Sequence, residues 1–387
     1  MENGADIESR SGYGQTPLAF ALASGRLEIV KLLVEKGANI ERKTTMLQRT
    51  GLFGILRNRR DLWERRIYGT PLSLAAESGH WDAVKLLVEN GAYIESKSED
   101  GQTPLAFALT SRRLDIAKLL VEKGADIECK TLKLYRTGFS TIVSFATPLC
   151  FAAANHYWDA VKLLVEKGAD IESKDKYGWT PLSFAASRGH LDVVKLLVEK
   201  GADIENKGRA GAAPLSLAAA SGHWDVVTLL VERCADIESK DLIGRTPLTF
   251  AAESNRLDIV KLLVENGADI DSKDQDGRTP LSDAGHLDIV KLLVEKGADI
   301  ENKDADGRTP LSIAAASGHC HAVKLLVENG ADIENTDRFG NSPLSFAVQR
   351  HRLNVVTLLV EKGADIESKD KDGQTPLCFA QPPSNPN

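Results

Sequence analysis

The sequence predicts an all-α solenoid of stacked helix–turn–helix units with short β-hairpin fingers between them. The tripeptide Thr-Pro-Leu recurs along the 387 residues, and most consecutive copies start 33 residues apart. A unit of that length cannot bury a core by itself, so its neighbours must stack on it. Full copies start at Thr16, Thr70, Thr103, Thr147, Thr180, Thr246, Thr279, Thr309 and Thr375, and altered copies start at Ala213 and Ser342.

One regular repeat, from Thr180 to Lys207, shows why each element is expected. Thr180 is a favourable N-cap and Pro181 suits the first helical position. Gly189 is expected to end this first helix in the left-handed conformation. A second helix with a broad apolar stripe is predicted from about Leu191 to Lys200. The segment that follows, up to the next Thr-Pro, is the finger, and its Gly-containing turn leads into the next repeat.

This pattern resembles the ankyrin repeat, which has a 33-residue period and a Thr-Pro-Leu-His-x-Ala signature. The resemblance covers nearly the whole chain and implies ten two-helix repeats plus a partial eleventh. One departure is systematic, because Ser replaces the signature His at positions such as Ser183 and Ser216. The Thr-to-His hydrogen bond usual in the family is then missing, which predicts modest stability unless Ser substitutes for it locally.

The domain prediction is a single solenoid over residues 1–381 with a short disordered tail at 382–387. Insertions interrupt the fingers at about 42–67 and 129–145. Both contain Arg-Thr-Gly, so unspliced sequence is an alternative to authentic loops. The repeat that starts at Thr279 is three residues short, which predicts a weak point or a bend. We expect a monomer unless the uncapped ends pair.

Composition narrows the class of protein. The net charge of −7 disfavours a direct nucleic-acid partner. No apolar run approaches the roughly 20 residues of a membrane span, and no signal peptide is recognisable at Met1. The five cysteines are odd in number and follow no repeat pattern, which favours a reducing compartment. We therefore expect an intracellular protein in the cytoplasm. A nuclear location is the alternative if the protein is a transcription coregulator.

The first insertion carries a local basic cluster. Between Arg42 and Ile67 there are eight Lys or Arg against two acidic residues, a charge of 8 minus 2, or +6. A nuclear-import signal, an anionic membrane surface and a nucleic-acid contact are each compatible with it, and a disordered surface loop is the simpler interpretation. The residues of the candidate nuclear-import patch are Arg57, Arg59, Arg60, Arg65 and Arg66.

Neither a metal site, a cofactor nor catalysis is predicted. His80, His190 and His223 occupy one position in different repeats. Stacked helices lie about 8–10 Å apart, too far for these residues to share a zinc ion. A partial calcium-loop pattern at Ser272 lacks its final Glu. No phosphate loop, dinucleotide fingerprint or nucleophile elbow is present, so we expect no enzyme and no small-molecule substrate.

The candidate recognition residues lie at the finger tips and the ends of first helices, where the resemblance implies that ankyrin repeats grip partners on their concave side. These positions vary between repeats while the framework does not. Aromatic and Arg side chains dominate binding hot spots, and Leu242 and Ile243 extend the apolar stretch beside them. The predicted protein-binding residues are Tyr177, Trp179, Arg188, Leu242, Ile243, Arg245, Arg278, Arg308, Arg338 and Phe339.

The leading functional hypothesis is a non-catalytic scaffold that binds an unidentified protein along this strip. The expected partner has an apolar anchor with acidic neighbours. The alternative is an ankyrin-repeat transcription coregulator that enters the nucleus and acts through a DNA-bound factor. Three tryptophans, Trp81, Trp158 and Trp224, replace the Leu that opens other second helices. We interpret them as core or outer-edge packing rather than as binding residues.

Overall fold

The computed structural model describes residues 6–12, 14–48, 65–130, 132–136 and 142–380. It contains two compact units, Met1–Lys176 and Tyr177–Asn387, which are called the N-terminal and C-terminal units below. The predicted tail at 382–387 lies outside the described residues. The single solenoid over residues 1–381 stays a prediction.

The described residues of the N-terminal unit form four helix pairs and two antiparallel strand pairs. Its elements are α1 Pro17–Ala23, α2 Leu27–Glu35, β1 Thr44–Gln48, β2 Arg65–Gly69, α3 Pro71–Ser78, α4 Trp81–Glu89, α5 Pro104–Thr110, α6 Leu114–Glu122, β3 Leu132–Arg136, β4 Ile142–Ala146, α7 Pro148–Ala154 and α8 Trp158–Glu166.

The C-terminal unit contains six helix pairs and a final 3₁₀ turn, Pro376–Ala380. Its helices are α9 Pro181–Arg188, α10 Leu191–Glu199, α11 Pro214–Ser221, α12 Trp224–Glu232, α13 Pro247–Glu253, α14 Leu257–Glu265, α15 Pro280–Asp283, α16 Leu287–Glu295, α17 Pro310–Ser317, α18 Cys320–Glu328, α19 Pro343–Gln349 and α20 Leu353–Glu361. The two units together hold the ten predicted pairs, and none of the described helices is long and apolar enough to cross a membrane.

Within each unit, first helices pack on first helices and second helices on second helices of the next repeat. The core lies between these layers, and in the α9–α10 pair it follows the predicted apolar stripe. Gly189 ends α9 at φ 71°, in the left-handed conformation that a residue with a Cβ rarely adopts. The buried side chains of this pair include Leu182, Phe184, Ala185, Ala186, Val193, Val194 and Leu197.

Serine takes over the hydrogen bond that the missing histidine would make. The Oγ1 of Thr180 accepts from the N–H of Ser183 at 3.2 Å, and the two hydroxyl oxygens lie 3.1 Å apart. The same hydroxyl pairing occurs at Thr70, Thr246 and Thr279. Because both groups are buried, each pair satisfies polar atoms that would otherwise be costly to desolvate.

The cap hydroxyl also reaches the finger of its own repeat. Thr70 Oγ1 lies 2.8 Å from Ser96 Oγ, and Thr246 Oγ1 lies 3.2 Å from Ser272 Oγ. One buried threonine therefore ties the start of a first helix to the finger that follows the second helix.

The regular fingers are tight turns rather than strands, and a carboxylate shapes several of them. Asp304 Oδ1 accepts from the N–H of Asp306 at 2.9 Å and from the N–H of Arg308 at 2.8 Å. The Asp304 N–H in turn donates to the Arg308 carbonyl at 3.0 Å. Asp and Gly in these turns therefore have structural roles, as the sequence predicted.

Strands occur at the bases of the two insertions. Strands β1 and β2 pair antiparallel, with Thr44 opposite Gly69, and β3 and β4 pair antiparallel, with Leu132 opposite Ala146. Both ends of each predicted surface loop are therefore held in a hairpin, and Ile67 lies in a strand rather than on a helix. Residues 49–64 and 137–141 lie outside the described part of the chain.

The shortened repeat is built as predicted. Helix α15 has four residues, whereas the other first helices have seven or eight. Ala284 then leaves the helical conformation with ψ 108°, and α16 begins at Leu287. The deletion therefore removes the last turn of the first helix and leaves the second helix at full length.

The repeat that starts at Ala213 lacks the cap hydroxyl. Helix α11 has no side-chain cap, and within the described structure the hydroxyls of Ser216 and Ser239 are buried without a hydrogen-bond partner. Ser216 corresponds to Thr249 of the next repeat, and Ser239 corresponds to Ser272. In that repeat the Thr246 hydroxyl contacts both Thr249 and Ser272.

We therefore expect Ala213→Thr to stabilise the protein. The new hydroxyl would cap α11 and supply a partner for both buried serines, which predicts a gain of about 1–2 kcal/mol in the free energy of unfolding. Urea denaturation followed by circular dichroism measures it. The matched control, Thr246→Ala, should lose a similar amount, and a neutral or destabilised Ala213→Thr variant would contradict the role given to the cap.

Candidate protein-binding surface

The predicted binding residues all lie in the C-terminal unit, where backbone hydrogen bonds join each finger tip to the next. At each step an N–H of one finger donates to a carbonyl of the preceding finger at 2.7–3.2 Å. The tips therefore form one continuous row, which we call the finger row. Its bonds are Arg209 to Tyr177, Leu242 to Ala210, Gln275 to Ile243, Ala305 to Asp276, Arg338 to Asp306 and Lys371 to Phe339.

Three large apolar side chains of the finger row face solvent. Leu242 is 63% exposed, Ile243 is 48% exposed and Phe339 is 51% exposed. Their backbones are fixed, because the Leu242 N–H and the Ile243 and Phe339 carbonyls take part in the bonds between fingers. The chain therefore holds two adjacent apolar side chains, Leu242 and Ile243, and a third, Phe339, in water on an ordered backbone.

Trp179 is largely a packing residue. Its ring lies 5.1 Å from the ring of Phe184, measured between centroids. It also occupies the space beside Gly208, where an added Cβ would lie 2.8 Å from Trp179 Cδ1. Tyr177 and Trp179 are each half-buried. A partner would therefore reach part of these rings, and replacing Trp179 would also disturb the fold.

The predicted row of arginines is paired with carboxylates of the chain itself. Arg245 Nη2 lies 2.9 Å from Asp241 Oδ2, and Arg245 Nη1 lies 3.1 Å from Glu253 Oε2. The same guanidinium stacks on the Phe250 ring at 4.3 Å. Arg245 therefore holds its finger against the first helix that follows.

The next arginines repeat this arrangement. Arg308 Nη2 lies 2.8 Å from the buried carboxylate of Asp304, and Arg338 Nη2 lies 2.9 Å from Asp306 Oδ1. Arg338 is the most exposed of the four, and its guanidinium stacks on Phe339 at 4.7 Å. The chain's own acidic groups thus offset much of the positive charge predicted for an acidic partner. Sequence reasoning missed these partners, although an Asp four residues before Arg245 and Arg308 was a visible signal.

Arg278 and Arg188 are the remaining arginines of the prediction. Arg278 Nη1 is 3.5 Å from Asp283 Oδ1. Arg188 ends α9, and burial lowers the pKa of its guanidinium.

Asp283 is the most unusual group beside the finger row. It stands where sister repeats carry apolar residues such as Phe250 and Ile313, and its side chain is 12% exposed. Burial raises the pKa of Asp283 to about 6, although the nearby Arg278 partly offsets the rise. Glu253 adds a further negative charge that raises it.

The repeated histidines have a packing role. A Cβ on Gly25 would lie 2.7 Å from His80 Cε1, and one on Gly285 would lie 2.6 Å from His319 Cε1. Each imidazole therefore covers the glycine that ends or follows the first helix of the preceding repeat. Arg256 and Arg352 do the same at equivalent positions.

The remaining candidates are separate from the finger row. Trp81, Trp158 and Trp224 are the first residues of α4, α8 and α12, and all three are partly exposed, in keeping with outer-edge packing. Arg57, Arg59 and Arg60 lie outside the described residues. Arg65 and Arg66 lie in strand β2.

Comparisons with known proteins agree with the geometry. A family model of ankyrin repeats in blocks of three copies matches residues 54–131, 136–208, 215–304 and 282–370, and the model of a single ankyrin repeat matches residues 13–45.

Similar curated proteins share only part of their length with this chain. A Caenorhabditis elegans transient receptor potential cation channel subfamily A member 1 homolog is 31% identical over 103 residues, 27% of this chain and 7% of that protein. Human ankyrin repeat and KH domain-containing protein 1 is 34% identical over 103 residues, 27% of this chain and 3% of that protein. The Drosophila melanogaster ankyrin repeat and KH domain-containing protein mask is 32% identical over 103 residues, which are 27% of this chain and 2% of that protein. The matched stretch is thus a small share of each relative.

We expect Asp283 to make stability fall as pH rises from about 4 to 6. The folded state holds a proton with a pKa of about 6, against 3.8 for the ordinary carboxyl, so folding is favoured below this window and weakened above it. The full shift corresponds to about 3 kcal/mol. Asp283→Asn should raise stability at pH 7 and remove this part of the pH dependence.

Urea denaturation of the two proteins from pH 4 to 7 measures the difference. Asp276→Asn, in an exposed finger turn, is the control and should leave the curve unchanged. Parallel pH curves for the parent protein and Asp283→Asn would show that this carboxyl titrates normally.

Proposed function

Because the chain belongs to the ankyrin repeat family, we propose that it is a non-catalytic protein-interaction scaffold whose partner binds the finger row of the C-terminal unit. Ankyrin repeats are generally protein–protein interaction modules, and the family is generally non-catalytic. The observation that carries the proposal is the exposure of Leu242, Ile243 and Phe339 on a hydrogen-bonded row of finger tips.

The energetics favour an apolar anchor on the partner. Fully burying a Leu, Ile or Phe side chain is worth about 1.5–3 kcal/mol. Leu242 and Ile243 are adjacent, so one hydrophobic side chain of a partner could cover both. This conclusion revises the sequence-based expectation of an acidic partner, because Arg245 and Arg308 already have carboxylate partners.

Order in the finger row would assist binding. A partner that docks on flexible loops loses affinity because the loops must become ordered. Here each tip is joined to the preceding tip, as in the 2.8 Å bond from the Gln275 N–H to the Ile243 carbonyl. Gln275 Nε2 also donates to the Leu242 carbonyl at 2.7 Å. The backbone under the two apolar side chains is therefore fixed before a partner arrives.

We expect the double change Leu242→Ser and Ile243→Ser to weaken partner binding by about 100-fold, since two apolar anchors are lost. Affinity purification from the native cell with quantitative mass spectrometry identifies the proteins that bind the parent chain. Binding of each purified candidate to the parent and the variant then gives the ratio of affinities.

Tyr93→Ser is the matched control. Tyr93 is 64% exposed, as much as Leu242, but it lies in the N-terminal unit. The proposal requires the control to keep its partners and the double variant to lose them, with both circular dichroism spectra unchanged. Loss of binding in Tyr93→Ser alone would move the interaction surface to the other unit.

The basic cluster supports a second proposal, a transcription coregulator that enters the nucleus and acts through a DNA-bound factor. The local charge of +6 over residues 42–67, 8 minus 2, is the observation that favours it. Replacing Arg57, Arg59 and Arg60 by Gln should then move a fluorescent fusion from the nucleus to the cytoplasm. A cytoplasmic parent fusion, or a distribution that does not change, would refute it.

A further inference from the structure

A cavity of about 250 Å³ opens in the N-terminal unit, where the turn between α5 and α6 meets the turn between α7 and α8. Leu109, Tyr157 and Ala160 line its buried part, and Arg112, His156 and Trp158 lie among its exposed lining residues. It is smaller than the roughly 300–1,000 Å³ typical of sites for drug-sized ligands. A small group, or the end of a larger ligand, would fit it.

The polar lining of the cavity is mostly basic. The lining includes Arg112, Arg113 and His156 and one carboxylate, Asp159, and the Arg113 guanidinium also donates to the Ser78 carbonyl of the preceding repeat at 3.4 Å. This excess is local, because the whole chain carries a net charge of −7. A negatively charged ligand is therefore the expected occupant.

Two of the basic side chains occupy strained backbone positions. Arg112 and His156 each have φ 56°, and five sister repeats carry glycine at the equivalent position. A residue with a Cβ in the left-handed region costs of order 1 kcal/mol or more, and such residues cluster at functional sites. A residue with a Cβ also replaces this glycine at Asn255 and His351 in the C-terminal unit, and in the two neighbouring repeats of the cavity the replacing residue is basic and lines the cavity. The glycines are Gly25, Gly79, Gly189, Gly222 and Gly318.

Tyr157 also departs from the repeat. Its position carries His or Arg in the other repeats, as at His80 and Arg113. Tyr157 is 9% exposed, packs edge-on against Phe151 and lies under the Arg112 guanidinium at 4.6 Å. Its hydroxyl is buried and has no hydrogen-bond partner among the residues that the structure describes. The ring of Tyr157, under the Arg112 guanidinium, is therefore the part of this residue that contributes to the cavity wall.

We propose that this cavity binds a phosphate monoester carried on an apolar or aromatic body. The paired N–H donors of a guanidinium group fit the spacing of phosphate oxygens. Arg112 stacks on Tyr157 with the face of its guanidinium, so the N–H groups in the plane can still donate to a ligand. Leu109, Tyr157 and the exposed part of Trp158 would contact the body of the ligand. The site is independent of the finger row.

Calorimetric titration with phenyl phosphate at constant ionic strength tests the site. Arg112→Gly restores the residue of the sister repeats, so it removes the guanidinium and relieves the backbone strain together. The parent protein should bind, and Arg112→Gly should bind at least about tenfold more weakly without loss of thermal stability. Asn255→Gly makes the same backbone change at φ 56° in the other unit and should leave the affinity unchanged.

The probes also separate the possible sources of the ester. A peptide that contains phosphotyrosine and binds more tightly than phenyl phosphate, with the same loss in Arg112→Gly, assigns the site to a phosphorylated protein, whereas equal affinities assign it to a free ester. Absence of phenyl phosphate binding, equal binding by Arg112→Gly, or equal binding of benzyl alcohol would each overturn the proposal.

Discussion

A buried hydroxyl caps every described first helix except α11, and in several repeats it also contacts the finger. Thr246 caps α13, pairs with the hydroxyl of Thr249 and contacts Ser272 in the finger. Because these groups lie out of water, each bond is costly to lose. The geometry of helix and finger is therefore fixed by one small side chain, and stacking neighbours then bury the apolar stripe that no single repeat can bury.

Because this framework fixes the backbone, the side chains at the finger tips can differ from repeat to repeat while the backbone hydrogen bonds between tips are kept. Two arginines help to fix the fingers, because Arg245 and Arg308 each form an ion pair with a carboxylate of their own finger. Leu242 and Ile243 are exposed on the same row, and so is Phe339, whose ring lies under the Arg338 guanidinium. The proposed apolar recognition by the finger row rests on this difference between the constant framework and the variable tips.

The repeat pattern was enough to predict the helix pairs, the glycine at the end of α9 and the four-residue α15, because each depends on local capping and turn chemistry. It could not predict how the arginines would pair, since that depends on how each finger turn orients its carboxylate. The cavity beside Arg112 and Tyr157 had a signal, the departure of both residues from their sisters. Its depth depends on how neighbouring repeats stack, which a sequence does not show.

Site-specific photo-crosslinking in the native cell tests the central claim most directly. A photoreactive phenylalanine placed at Leu242 should crosslink to a defined protein partner, because this side chain lies on the ordered finger row at 63% exposure. The same residue placed at Tyr93, which is equally exposed, should give no such product. Crosslinking to a partner from Tyr93 and none from Leu242 would contradict the account.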